Sequence, residues 1–329
     1  MKPKRKMRLA KMSQGRTIDR AVLLGEDEKS RVSKILDSCA GNEISPAIAL
    51  VKLMSVSHNS AGLEVVVKLA VKAAASRHSA ALAEIWALYV ENRPACERAM
   101  TMSKQEPMTE AMTTEARIAQ LRATFDTWVE EDAALSVAAY TFGNPRLMQQ
   151  ATQEVIDVLN EWGLLGPEVD ALQIGCGTGR IEALLGSRVR LAWGIDISAK
   201  MISAAQQKVA GPANIRFSQC SGRDLTLFEA NSFNLVYTVD SFPYIVQAGA
   251  ELVNRHFAEV ARVLRDDGHF VIFHYSYQAD VALDRVDVRR LAAAHGYSVI
   301  REAVTPFTIW DGVGYHLQKS MSQVPLSSA

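Results

Sequence analysis

The sequence predicts an α/β fold: a mostly parallel sheet with a C-terminal antiparallel hairpin, preceded by a small α-helical domain. Three observations carry this. Residues 171–179 read Ala-Leu-Gln-Ile-Gly-Cys-Gly-Thr-Gly, a strand running into a glycine-rich turn. From there Val/Ile/Leu-rich strands alternate with helical patterns, which implies parallel strands with helices on both faces. The last two strands are joined by about ten residues, too few for a crossover helix, so they pair antiparallel.

The 329 residues suffice for one large domain and a smaller one. With 48% hydrophobic and 22% charged residues the chain is that of an ordinary globular protein. Its formal net charge is zero, so no global field draws it to nucleic acid or membrane. The four cysteines are scattered without C-x-x-C spacing, and no two histidines stand four apart. Neither a disulfide framework nor a metal site is expected. No apolar run reaches the ~20 residues of a bilayer span, and no secretory h-region opens the chain. The expected location is the cytoplasm.

Residues 1–25 form a basic tail, with Lys2, Lys4, Arg5, Lys6, Arg8, Lys11, Arg16 and Arg20 against Asp19 alone. It reads as a solvated, disordered segment. Residues 26–98 form the helical domain. Ser45-Pro46 makes an N-cap and first-turn pair, followed by Ile48, Val51, Leu53 and Met54 at helical spacing. Leu63, Val66, Val67, Ala70 and Val71 mark a second helix, and Ala81, Ile85, Leu88 and Tyr89 a third, which Asn92-Arg93-Pro94 ends. Their apolar faces offer a surface for a homo-oligomer. Residues 99–112 lack periodicity and read as a linker, so the helical domain is expected to supply no cofactor contacts.

The second domain, 113–329, opens with a helix carrying Leu121, Phe125 and Trp128. Asn144-Pro145 caps the next, which ends at Trp162-Gly163. Strands are then expected at 170–174, 191–195, 214–218, 233–239, 269–275, 297–303 and 313–318. Helices are expected from about 178, and at 198–209, 250–264 and 284–295.

The turn is neither a dinucleotide fingerprint nor a P-loop. Its glycines run Gly175-x-Gly177-x-Gly179, Arg180 holds the place of the third dinucleotide glycine, and no Gly-Lys-Ser/Thr follows. The pattern resembles motif I of the class I S-adenosylmethionine-dependent methyltransferases. Two further stretches strengthen the resemblance over about 200 residues: Trp193-Gly194-Ile195-Asp196-Ile197-Ser198 and Cys220-Ser221-Gly222-Arg223-Asp224-Leu225. The resemblance implies a Rossmann-like methyltransferase sheet and S-adenosyl-L-methionine as cofactor. It puts Gln173, Gly175, Cys176, Gly177 and Gly179 around the methionine part, and Asp196 on the ribose hydroxyls. Ile197, Met201, Ser221, Gly222, Arg223 and Val239 then fall around the rest of the cofactor, while Tyr140 and Phe142 could close over it. Gln173 and Ser221 stand where the family commonly carries acids, which softens two polar anchors.

The acceptor belongs outside the carboxyl ends of the strands. The loop Val239-Asp240-Ser241-Phe242-Pro243-Tyr244 reaches that edge, and Ser-Phe-Pro-Tyr faintly resembles the motif of amino-group nucleic-acid methylases. Asp240, Tyr244, His256, His274 and Tyr275 are candidates for proton transfer, with His256 and Tyr244 ranked first as catalytic residues. The expected activity is methyl transfer to an O or N atom of a small-molecule acceptor, with no membrane or nucleic-acid partner. Two alternatives stand beside it. One is a non-catalytic cofactor-binding or scaffold protein, motivated by Gln173 and Ser221; the other is a nucleic-acid or protein methyltransferase using the basic tail.

Overall fold

The computed structural model describes residues 25–57, 59–102, 108–109, 111–278 and 280–320. The basic tail up to residue 24, and residues 103–107 and 110 of the stretch read as a linker, lie outside the described residues. Four helices come first: α1 (Glu26–Ala40), α2 (Pro46–Val56), α3 (Ser60–Arg77) and α4 (Ala80–Met102). Ser45 caps α2 by accepting from the Ile48 amide at 3.3 Å, and Asn59 caps α3 through the Gly62 amide at 2.9 Å.

α4 does not stop at Pro94. It bends at Asn92 (φ −112°, ψ 20°), whose side-chain amide donates to the Leu88 carbonyl at 2.9 Å. It then continues to Met102, eight residues past the expected stop and into the expected linker. Packing explains the continuation, because Ala95, Cys96, Ala99, Met100 and Met102 are buried in the helical core. That burial outweighs the missing amide at the proline.

Two helices, α5 (Thr114–Glu131) and α6 (Pro145–Glu161), lead to a seven-stranded sheet. Its strands are β1 (Gly166–Ile174), β2 (Val189–Asp196), β3 (Ile215–Gln219), β4 (Phe233–Val239), β5 (Leu264–Phe273), β6 (Tyr297–Val304) and β7 (Gly314–Lys319). The order is β3-β2-β1-β4-β5-β7-β6. The first five are parallel neighbours, while β7 runs antiparallel to both β5 and β6. The terminal hairpin is thus present, with its second strand inserted between β5 and β6. Alternate residues feed two cores, Leu172 and Val236 on one face, Ala171, Leu235 and Tyr237 on the other.

The remaining helices are α7 (Glu182–Leu185), α8 (Ala199–Lys208), α9 (Phe242–Ala248), α10 (Ala250–Val263) and α11 (Val281–Ala294). Three local expectations are corrected. The helix expected from about 178 is a series of turns ending in the single turn α7. Phe242-Pro243-Tyr244, read as the end of a loop, opens helix α9, with Pro243 in its first turn. The strand expected from residue 269 already begins at Leu264, which pairs with Phe233, so Asp266-Asp267-Gly268 lies inside β5 as an irregularity.

The helical unit and the sheet unit share cores. Leu135 and Phe142 join the helical cluster, and Ile48 joins a sheet cluster. Trp128 Nε1 donates to the Met102 carbonyl at 2.8 Å, Ser45 Oγ to the Ile309 carbonyl at 3.1 Å, and Lys52 pairs with Asp311 at 2.8 Å. Among the described residues no helix is long and apolar enough to cross a membrane.

Candidate cofactor and acceptor site

β1 ends in the glycine turn, where Gly175, Gly177 and Gly179 all have positive φ (75°, 54° and 71°). Close approach adds to that requirement. A Cβ on Gly175 would lie 2.3 Å from Ser241 Cβ, and one on Gly177 2.6 Å from Val137 Cγ1. A Cβ on Gly179 would meet the Phe217 ring at 2.6 Å. Gly175 and Gly177 border a cavity of about 620 Å³; Gly179 does not, and serves to pack the turn against β3.

The turn is tied to the end of β2. The Gly175 and Cys176 amides donate to the Ile195 carbonyl, at 2.8 and 3.0 Å. The Gly177 amide donates to Asp196 Oδ2 at 3.0 Å, and the Ser198 amide to Asp196 Oδ1 at 2.9 Å. Burial pushes the Asp196 carboxyl up to about 6, against the opposing effect of the amides that bond it. Asp196 lines the cavity with Ile197 and Met201. In the ribose role that the resemblance implies, Asp196 would accept as the carboxylate, so affinity for S-adenosylhomocysteine should hold near neutrality and fall as pH drops through about 6. Calorimetry across that range checks this; a flat profile down to pH ~5 would remove Asp196 from the ribose role.

The β3 loop is arranged differently from the expectation. Ser221 Oγ accepts from the Arg223 amide at 3.1 Å and faces Asp224 at 3.4 Å, so it is spent within its own loop. Arg223 is exposed, and neither residue borders the cavity. Gly222 does, with positive φ and Ile197 and Ile118 against it. Asp224, the acid three residues on, also borders it. Arg122 of α5 fixes both loops, donating to the Ile197 carbonyl at 3.2 Å and the Ser221 carbonyl at 3.3 Å. Asp126 of the same helix accepts from Ser198 Oγ at 2.5 Å.

Gln173, Val239 and Tyr140 line the cavity. Gln173 is 2% exposed, and its Oε1 is buried with no hydrogen-bond partner. That orphaned acceptor, and the turn that tolerates no Cβ, fit an ammonium-bearing cofactor lying across the end of β1. Tyr140 stacks on Trp310 with ring centroids 5.9 Å apart. Phe142 instead packs into the helical core. Burial holds the Cys176 thiol well above its ordinary range, so it is no nucleophile.

The two ranked catalytic candidates border the same cavity from consecutive helices. His256, on α10, is 2% exposed, with Nδ1 2.9 Å from the Leu252 carbonyl of its own helix. Burial lowers its pKa, and its acidic neighbours are Asp224 and Glu259, which puts it at the β3-loop end. Tyr244, on α9, packs edge-on to Phe125 at 4.8 Å and to Tyr277 at 5.5 Å, in a cluster with Leu252 of α10. The carboxyl ends of β4 and β5 bring Asp240 and His274 to the cavity, both with positive φ (54° and 73°). Tyr277 donates to Asp240 Oδ1 at 2.7 Å. His274 lies 5.1 Å from the Tyr277 ring and stacks on Trp310 at 5.9 Å, and its Nδ1 is buried without a partner. Tyr275 also borders the cavity and stacks on Phe242 at 5.3 Å.

Several lining residues escaped the sequence reading altogether. Ile48, Val51, Lys52 and Met102 come from the helical unit, Val137 from the segment before α6, and Trp310 and Asp311 from the β6–β7 loop. No linear spacing marks them.

The strand order, the glycine turn after β1 and the acid at the end of β2 agree with the methyltransferase-type sheet that the sequence resemblance implies. Residues 172–272 match the family model described as a methyltransferase domain. A Bacillus subtilis (strain 168) protein named "Putative methyltransferase YqeM" is 31% identical over 156 residues, covering 44% of this chain and 62% of its own length. A Saccharomyces cerevisiae protein named "Probable S-adenosylmethionine-dependent methyltransferase CRG1" is 27% identical over 113 residues, 33% of this chain and 37% of its own. The chain therefore spans less than two thirds of the length of these relatives. Among solved structures, phosphoethanolamine N-methyltransferase 1 of Haemonchus contortus, in complex with phosphoethanolamine and S-adenosylhomocysteine, aligns with a TM-score of 0.50 at 17% identity. That alignment covers 65% of this chain and 51% of the other, and speaks to the fold.

Proposed function

We propose that the chain transfers a methyl group from S-adenosylmethionine to an oxygen or nitrogen atom of a small-molecule acceptor. The observation that carries this is the shape of the cavity. Its cofactor end is built on the glycine turn and Asp196, and its other end is closed by α2, α4, α5 and the β6–β7 loop. The closing residues are mainly apolar and aromatic, including Ile48, Met102, Phe125, Trp128, Tyr244 and Trp310. A roofed space of that kind suits a small acceptor better than a polymer.

When bound, the cofactor supplies an electrophilic methyl carbon; the chain's residues hold the acceptor atom in line and take its proton. His274 is the group best placed for the proton. It stands at a strand end in a strained backbone conformation, with one ring nitrogen unengaged, on the cavity wall that also carries Asp240. Tyr244 and Tyr277 border the same space and orient the acceptor. His256 belongs to the cofactor end in this reading, so its part is to support binding.

A screen of hydroxyl and amine compounds with methyl-labelled cofactor tests the activity. With an acceptor in hand, His274→Ala should lower kcat by about 10²- to 10⁴-fold, the usual contribution of a general base. His256→Ala should act mainly on cofactor affinity. The reverse pattern would return the base to α10.

A further inference from the structure

Arg180 stands where a dinucleotide fold would carry a glycine, and no step of the transfer outlined above uses it. Its side chain is 7% exposed and borders the cavity. Nη1 donates to Thr152 Oγ1 at 2.9 Å, and the Tyr140 hydroxyl lies against the same guanidinium. Both partners are neutral. Among the described residues no carboxylate forms an ion pair with Arg180; Glu182 and Asp240 act on it only from farther away. A guanidinium cannot shed its proton to escape burial, so a cation kept in a largely apolar cavity calls for an anion.

A complementary deficit lies at the other end of the same turn. Gln173 Oε1 is a buried acceptor without a donor, while its Nε2 reaches only the Gly175 carbonyl at 3.5 Å. One segment, residues 173–180, thus presents to one cavity a cation lacking an anion and an acceptor lacking a donor. An α-amino-acid group carries both missing partners, a carboxylate and an ammonium.

We propose that Arg180 and Gln173 together bind the α-amino-acid group of the cofactor, Arg180 taking its carboxylate. This rests on the cofactor reading made above. The carboxylate then gains a full ion pair, and the ammonium a hydrogen bond to a neutral amide. Recognition is weighted toward the carboxylate, offsetting the absence of an acid at position 173.

Calorimetry on the full chain with S-adenosylhomocysteine and its decarboxylated form tests this. The wild-type chain should bind the intact compound about 10- to 100-fold more tightly, the scale of a charge-assisted pair. Arg180→Met should bring the intact compound down to the level of the decarboxylated one, whose own affinity should change by less than about threefold. Arg180→Lys should fall between. If the Met variant does not fold, the wild-type comparison and the Lys variant still decide. Equal affinity of the wild-type chain for both compounds overturns the proposal, as does an equal loss for both in Arg180→Met, which would make Arg180 a prop for the turn. Absence of any binding of S-adenosylhomocysteine would instead remove the cofactor reading on which this rests.

Discussion

Gly175→Ala should abolish measurable binding of S-adenosylhomocysteine and lower the melting temperature. Two costs combine at this residue. Its φ of 75° is strained for any L side chain, typically by about 1–3 kcal/mol. The added methyl would also lie 2.3 Å from Ser241 Cβ, and forcing that contact apart adds a further ~1–3 kcal/mol. Ser241 cannot simply retreat, because its Oγ donates to the Ile174 carbonyl at 2.6 Å and its segment leads into α9. The movement available is in the turn, where the Gly175 and Cys176 amides would leave the Ile195 carbonyl. Calorimetry and thermal unfolding measure the two effects. Retained affinity in a folded Gly175→Ala protein would mean that the turn is not the cofactor cradle.

A chain beginning at Thr113 should melt roughly 10 °C lower than the full chain, expose apolar surface to a hydrophobic dye, and lose acceptor discrimination. Leu135 and Phe142 lie after that point, yet both are buried in the helical cluster. Uncovering them costs about 1.5–3 kcal/mol each, and each kcal/mol moves Tm by ~2–4 °C in a chain of this size. Trp128 would lose its bond to the Met102 carbonyl, and the Ser45 and Lys52 contacts would release the β6–β7 loop that carries Trp310 and Asp311. Cofactor affinity should suffer less, because the glycine turn, Asp196 and α5 remain. A truncated chain with unchanged Tm and no dye binding would show two independently stable units, the organisation suggested by the unpatterned stretch 99–112.

The sheet was legible because its signals are local. Runs such as Leu-Val-Tyr-Thr-Val and Val-Ile-Phe show β-branched and aromatic enrichment at the right length, and six of the expected strands begin within four residues of the observed ones. β5 begins earlier, since a paired Leu264 precedes an internal turn that reads as a strand boundary. α9 was hidden by Pro243, which marks a loop as readily as a first helical turn. α4 was cut short for the opposite reason: Pro94 ends most helices, but here the following turn is buried.

The glycine turn and Asp196 were legible for a different reason. A turn that forbids Cβ atoms must be written in glycine, and a strand-end acid that accepts from the amides of two loops must be Asp or Glu. The sequence by itself therefore determined the parallel sheet, the glycine turn and Asp196, all properties of short segments with one backbone solution. Only the tertiary structure decided that Ser221 turns into its own loop while Asp224 faces the cavity. It also decided that the strained ends of β4 and β5 bring Asp240 and His274 to one cavity, and that α2, α4 and the β6–β7 loop line it as well. The physical reason is separation along the chain: Ser45 meets Ile309, and Trp128 meets Met102, through single contacts chosen by packing. Such contacts leave no period, cap or turn signal in either segment.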